Sequence, residues 1–367
     1  MEKSTATVTW LCHRNFGTLL QAYALQRTLI SLGYQNRVID DSIIINAFPK
    51  KKFSPLRLLR NIGWLFPKRS EFRRHNDEVI RLYDDFKNKF INIDREWTRR
   101  EELSERYDVF IAGSDQIWSP AVPFDDFYYL NFTDRPKVAY GPSLGVSSYP
   151  NDRVQSVKPL LERFSVLSVR EPRGATILRE KFGLNAAVVS DPTMLLEKDE
   201  WAALSGQTSS ETKGIPYALC YFLTYNKEYM DSVSEYCSRN SLRMKIMVVS
   251  SDLVGAAEEE VYTGPIGFLE EISGAEVVFT DSFHGTIFSL IFEKAFYTFK
   301  RFADSSVISQ NSRVENLLCN FDLLDRLGEA VPEKFSSMEI DWTKVRESAS
   351  NMREASLKYL KDSLSII

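Results

Sequence analysis

The sequence predicts an α/β protein with two doubly wound, Rossmann-like halves facing a cleft. Three observations carry this reading. Short β-branched, apolar runs alternate with helical runs along most of the chain, which implies parallel sheets. The 367 residues suit two domains at about 150 residues each. A polar stretch, Ser205 to Gly214, interrupts the alternation near the middle. The boundary is placed near residues 192–214, dividing the chain into 1–195 and 196–367.

Each element follows from local pattern. Residues 5–12 (TATVTWLC) read as a buried strand, followed by a polar turn through His13, Arg14, Asn15, Phe16 and Gly17. Leu19, Ala22, Leu25, Leu29 and Leu32 then recur every three or four positions, and Gly33 ends that helix. Residues 35–40 form the next strand, which completes a βαβ unit. Strands are expected at 107–113, 137–141, 165–170 and 186–192, with helices at 152–164 and 172–183. The second half repeats the theme. Strands at 217–223, 243–249, 275–280 and 295–300 alternate with helices near 227–239, 266–273 and 285–294. Helices at 311–320 and 341–363 close the chain.

Composition excludes several classes. The 46 Lys+Arg against 50 Asp+Glu give a net charge of −4, without the basic surface of a dedicated nucleic-acid binder. No apolar run is long enough to span a membrane, and the N-terminus lacks a signal-peptide core, so a cytoplasmic location is expected. Cys12, Cys220, Cys237 and Cys319 are scattered and read as free, mostly core thiols. Three histidines make a histidine-rich metal site unexpected. Motifs of dehydrogenases, P-loop NTPases, zincins and GxSxG hydrolases are absent.

In doubly wound sheets the loops after strands carry the chemistry. The sharpest candidate is Thr280-Asp281-Ser282-Phe283-His284-Gly285-Thr286, between a strand and a helix. His284 can move protons near neutral pH, and the amides of Gly285 and Thr286 open a helix where anions bind. A core histidine bonded to a carbonyl is the bland alternative. Arg170, in Ser168-Val169-Arg170-Glu171, can clamp a carboxylate or phosphate, or simply pair with Glu171. Lys300 and Arg301 sit past a strand, as an anion pocket or a solvated edge, and Arg313 is a similar candidate. The turns Asn15-Phe16-Gly17-Thr18 and Gly113-Ser114-Asp115-Gln116 also follow strands. Gly17 and Gly113 can admit a ligand to the backbone, and Asp115 and Gln116 can hold sugar hydroxyls, although Asp115 can equally cap a helix. Residues 50–74 carry nine Lys/Arg, including Lys50, Lys51, Lys52 and Arg57, among Leu, Ile, Trp and Phe. That mixture reads as a membrane-surface segment or as an insertion packing its apolar side inward.

Together these segments resemble the polysaccharide pyruvyl transferase family, particularly members from bacterial capsule and exopolysaccharide gene sets. The resemblance runs through NFGTLLQAYALQRTLISLGYQNRVIDD (15–41), YDVFIAGSDQIWSP (107–120), KVAYGPSLGV (137–146), SVREPRGATILREKFGL (168–184), VVSDPTMLL (188–196), TDSFHGTIFSLIFEKAFY (280–297) and NSRVENLL (311–318). It implies a fold similar to the glycosyltransferase B type, with the acceptor on the first domain and phosphoenolpyruvate on the second. The last helix is expected to pack back on the first domain. It implies transfer of a pyruvyl ketal from phosphoenolpyruvate to a sugar, with Arg170 and His284 catalytic. Lys300, or its neighbour Arg301, is implied to contact the donor, with Gly285, Thr286 and Arg313. Asn15, Gly17, Ser114, Asp115 and Gln116 are expected on the acceptor side. Many members have Arg-Leu-His where this chain has Ser282-Phe283-His284, so the missing cation must come from elsewhere, with Arg313 the candidate. No metal or cofactor is expected. Expected partners are phosphoenolpyruvate, a sugar acceptor that includes the lipid-linked case, and an anionic membrane surface at the inner face through 50–74, but no nucleic acid. The rival readings are a nucleotide-sugar-dependent glycosyltransferase of the same fold and a non-catalytic saccharide-binding relative.

Overall fold

A computed structural model of the chain describes residues 3–47, 67–206, 215–302, 311–335 and 339–366. It contains two parallel sheets. The first has order β3-β2-β1-β4-β5, built from β1 (Ser4–Val8), β2 (Gln35–Ile39), β3 (Ile93–Asp94), β4 (Val109–Ala112) and β5 (Lys137–Ala139). A small pair, β6 (Ser168–Val169) and β7 (Ala187–Val188), runs beside β5 through a parallel bridge between Val138 and Val166. The second sheet has order β10-β9-β8-β11-β12-β13. Its strands are β8 (Tyr217–Tyr221), β9 (Arg243–Met247), β10 (Glu259–Val261), β11 (Val277–Thr280), β12 (Ala295–Phe299) and β13 (Leu327–Gly328). In each sheet the strand order reverses direction at the central strand, so a crevice opens at β1/β4 and at β8/β11.

The first helix, Phe16–Ser31, joins the two halves. Leu19, Leu20 and Phe16 share one hydrophobic core with Leu219, Tyr221, Phe268 and Ile287 of the second half. The helix Trp342–Ser365 spans both halves as well. Its Val345 joins that core, whereas Leu360 and Leu364 pack with Leu25, Leu29, Ile111 and Tyr140. The Tyr359 hydroxyl donates to the Ala139 carbonyl at 2.9 Å, and the Ser190 amide donates to Ser356 Oγ at 2.9 Å.

Three features differ from the sequence reading. The strand expected at 165–170 keeps only β6 as regular structure, and the helix expected at 172–183 is Pro172–Ile177 followed by a π turn, Leu178–Phe182. Of the four cysteines only Cys220 and Cys237 are core residues, while Cys12 is half-buried and Cys319 exposed. Residues 67–74 begin a long helix, Pro67–Phe90, that leans across to the second sheet. Phe72 packs on the core that contains Val248, and His75 stacks on Tyr262 at 4.1 Å. Lys68, Arg73 and Arg74 stay exposed on the same helix. The rest of the basic segment, 50–66, and most of the polar boundary stretch, 207–214, lie outside the described residues. No helix among the described residues is long and apolar enough to cross a membrane.

Candidate functional site

β11 delivers His284 to the cleft. The helix Phe283–Ile291 starts at Ser282, whose side chain accepts from the Gly285 amide at 3.4 Å. The Thr286 amide donates to the Ser282 carbonyl at 3.0 Å. Both amides expected to hold an anion are therefore spent on the cap itself. Thr280 Oγ1 donates to the Tyr221 carbonyl at 2.7 Å and accepts from the Ser282 amide at 3.0 Å. Asp281 accepts from the Leu223 amide at 2.7 Å and from Thr224 Oγ1 at 3.2 Å, tying the loop after β8 to the turn. Burial raises the Asp281 carboxyl, and those bonds together with the nearby Arg301 charge oppose the rise.

The β6–β7 pair brings Arg170 and Asp191 together, because each follows its strand's carboxyl end. Arg170 Nη1 donates to Asp191 Oδ2, and His284 Nε2 lies 3.4 Å from the same oxygen. The other carboxylate oxygen accepts from the Thr193 amide at 3.0 Å and its hydroxyl at 2.7 Å. The Arg170 and Asp191 side chains are 2% and 0% exposed. Burial alone would raise the Asp191 carboxyl, but His284 and Arg170 hold it well below the usual carboxylate range. Burial disfavours the Arg170 cation, but Asp191, Asp115 and Glu171 more than compensate and raise it. Glu171 does not pair with Arg170 as a surface ion pair. One of its oxygens accepts from Ser143 Oγ at 2.8 Å and from the Leu144 and Gly145 amides at 3.0 and 3.2 Å.

Polar capacity is left over at this cluster. Arg170 Nε and Nη2, the second Glu171 oxygen and His284 Nε2 are buried without a hydrogen-bond partner among the described residues. Unmet donors of a buried cation cost more than a kilocalorie each, roughly 1–3 kcal/mol. Anionic oxygens are the groups that complete such donors.

A second cation stands beside the first. The Phe283 ring lies 4.6 Å from the Arg170 guanidinium carbon and 5.4 Å from that of Arg313. The ring face attracts both like charges and so offsets part of their mutual repulsion. Burial, then the Arg170 charge, pushes Arg313 down to about 10, which leaves it a cation at neutral pH. A cavity of about 390 Å³ is lined by Arg170, Asp191, Phe283 and Arg313, with the helix Trp342–Ser365 as its far wall. The charge of Arg301 acts on Asp281, Tyr221 and Arg313. Lys300 holds the sheet edge with its backbone. Its amide donates to the Gly328 carbonyl at 2.9 Å, and its carbonyl accepts from the Tyr229 hydroxyl.

The turns of the first sheet behave differently from their sequence reading. A Cβ on Gly17 would lie 1.9 Å from His284 Nδ1, so Gly17 admits the imidazole rather than a ligand. A Cβ on Gly113 would meet the Thr9 Cβ at 3.0 Å, so that glycine admits the neighbouring strand end. Asn15 caps the first helix, accepting from the Thr18 amide at 3.3 Å. Ser114 is fully buried and donates to the Gly141 carbonyl at 2.9 Å. Asp115, at a positive φ of 67°, accepts from Thr18 Oγ1 at 2.6 Å and from the Gln116 amide at 2.9 Å. Its charge reaches Arg170 and Arg313. Asp115 is thus part of the arginine cluster and already accepts one internal hydrogen bond on each carboxylate oxygen. Gln116 packs against Gly145.

Sequence reasoning missed Asp191. It sits in Ser190-Asp191-Pro192, which reads as a strand-ending turn, and its partners are 21 and 93 positions away along the chain. Cys12, Asp40 and Asp41 form the one described group with metal-ligand spacing, their ligand atoms within 4.8 Å of one another. Asp41 there already accepts from the Leu11 and Cys12 amides at 3.3 and 3.1 Å and from the Tyr128 hydroxyl at 3.0 Å. Burial and the two carboxylates keep the Cys12 thiol protonated, which suits it poorly to a metal.

Comparison with known proteins follows the geometry. The family model for polysaccharide pyruvyl transferase matches residues 15–301. No curated protein sequence matches the chain. Among solved structures, a glycosyltransferase from Rickettsia africae is similar at a TM-score of 0.54 and 11% identity, covering 99% of each chain. A Listeria monocytogenes protein assigned as a UDP-N-acetylglucosamine 2-epimerase is similar at a TM-score of 0.50 and 12% identity, covering 97% of this chain and 91% of that one. At such identities the likeness is one of fold, and that fold is the glycosyltransferase B type. The match to the family model covers most of the chain, and the chain belongs to the polysaccharide pyruvyl transferase family.

Proposed function

We propose that this family member transfers the pyruvyl skeleton of phosphoenolpyruvate to two hydroxyls of a polysaccharide-precursor sugar, forming a cyclic ketal. The observation that supports it most is the buried Arg170, which keeps two unmet donors at a cavity shared with Arg313. Phosphoenolpyruvate carries a phosphate and a carboxylate on one carbon, C2. Two guanidiniums close to one ring suit that pair of anions. Arg301 adds positive potential, and Lys300 is the less supported of the two neighbours.

The chemistry balances without a redox partner. A proton adds to the methylene carbon, and the first sugar hydroxyl bonds to C2 and gives up its proton. The C2–O bond to phosphate then breaks, the second hydroxyl closes the ring, and its proton leaves with the phosphate. His284 is the residue of this cluster suited to carry such protons near neutral pH. Asp191, held ionised, keeps the imidazole and Arg170 on one oxygen. Arg170 and Arg313 stabilise the departing phosphate.

The reading is tested by thermal shift. Phosphoenolpyruvate is expected to raise the melting temperature by mass action, whereas UDP-, ADP- and GDP-sugars are expected not to. The reverse pattern would favour a sugar-nucleotide-dependent glycosyltransferase.

A further inference from the structure

We propose that Asn316, Asn320 and Asn351, on the cavity wall facing the arginines, form the subsite that selects the acceptor sugar. This rests on the donor reading above and deepens it.

Ketal formation joins two acceptor oxygens to one donor carbon, so both molecules must share one space. A donor on Arg170 and Arg313 places the acceptor in the same 390 Å³ cavity, which lies within the usual size of small-molecule sites, about 300–1,000 Å³. The turns after β1 and β4 do not offer that surface, because Ser114 and Asp115 are committed to internal bonds.

The remaining walls are the helix Asn311–Cys319 with Asn320 behind it, and the helix Trp342–Ser365. They present three carboxamides and the Ser348 hydroxyl. None of the three amide side chains hydrogen-bonds a described residue. Each amide offers a donor and an acceptor side by side, which matches a pair of neighbouring sugar hydroxyls. A neutral wall also avoids two conflicts. Acidic groups there would repel the donor's phosphate and carboxylate, and cationic groups would compete with Arg170 and Arg313 for them. Leu317 and Met352 line the same cavity and can pack on the C–H face of a pyranose. The class of ligand is therefore a neutral pyranoside with two free hydroxyls close enough for one carbon to bridge.

The helix Trp342–Ser365 thereby acquires a role besides joining the halves. Its Leu360 and Leu364 fix it on the first half, so its Asn351 is held rigidly against the cavity.

The test uses the full chain with phosphoenolpyruvate present and saturation-transfer NMR. The probes are the methyl glycosides of galactose, glucose, mannose and N-acetylglucosamine. Asn320 and Asn351 are exposed, so Asn320→Ala with Asn351→Ala leaves the fold intact. At least one glycoside is expected to bind the wild type. The double variant should weaken it by about tenfold, while phosphoenolpyruvate affinity changes less than about twofold. If phosphoenolpyruvate binds but no glycoside does, or if glycoside binding survives the double variant, the subsite assignment is overturned alone. If phosphoenolpyruvate itself fails to bind the wild type, the donor reading falls and takes this inference with it.

Discussion

The two strand-end regions that meet at the cleft use similar residues to opposite ends. After β1 and β4, Thr9, Thr18, Ser114, Asp115 and Asn15 bond to one another or to backbone, and Gln21 Nε2 adds bonds to Thr9 Oγ1 at 3.0 Å and the Thr18 carbonyl at 2.9 Å, with only the neutral Gln21 Oε1 left unmet among these described groups. After β6, β7 and β11, the charged groups outnumber their partners, and Arg170 and His284 retain buried, unmet nitrogens. A polar turn that satisfies itself is scaffold. A buried charged cluster that does not is where a ligand finishes the bonding.

Substitutions in the two regions should therefore fail in different ways. The largest effect is expected from His284→Ala, which should cut phosphate release by about 10²–10⁴-fold while urea unfolding stays cooperative. Turnover near wild type would remove His284 from the chemistry.

Asp191→Asn comes next and should lower stability as well as activity. Leaving Arg170 buried without its anion costs about 3–5 kcal/mol, readable by denaturant titration. The pH dependence sharpens this. The folded Asp191 carboxyl is held below its unfolded value, so its stabilisation is present above the ordinary carboxylate range and is lost as pH falls through the depressed value. The Asn variant should lose that part of the acid slope, and an unchanged slope would contradict the ion cluster.

Gly17→Ala tests the seam between the regions. Its new methyl would overlap the imidazole, and overpacking of this kind costs about 1–3 kcal/mol. Activity should fall with stability, because the displaced group is His284. Ser114→Ala, on the self-satisfied side, removes one bond and should cost about 1 kcal/mol with phosphoenolpyruvate affinity unchanged. A large affinity loss there would erase the contrast.

The smallest effect lies far from the cleft. Lys137 Nζ, at the start of β5, is buried without a partner, and burial followed by the Arg163 charge lowers it to about 8. Lys137→Met should leave stability equal or slightly higher at neutral pH, checked by melting temperature.

Much of the fold was legible because the apolar periodicity is regular. The first helix buries Leu19, Ala22, Leu25 and Leu29 as their spacing requires. The helix Pro67–Phe90 was hidden by its basic start, although Val79, Tyr83, Phe86 and Phe90 keep helical spacing against the cores. Arg170 and His284 were legible as strand-end residues within motifs. Asp191 was not, since a carboxylate before a proline signals a turn and its two cations are neighbours only in space. Gly285 and Thr286 looked like free helix-start amides, but the Ser282 cap consumes them, and a cap is as legible in Ser282 as an anion site is in His284. Asp115 read as a cap or a sugar ligand. Its positive φ and its place beside Arg170 come with its bridge to Pro142 and its bond from Thr18, distant partners that no local pattern encodes.

The central claim is that the under-satisfied cluster handles phosphoenolpyruvate as a pyruvyl donor. Phosphate release from phosphoenolpyruvate, measured against a panel of sugar acceptors with the product mass recorded, tests it directly. Acceptor-dependent phosphate and a product heavier by one pyruvyl ketal are expected, both lost in Arg170→Ala. Phosphate release without that mass gain, or equal release from the Arg170 variant, would contradict it.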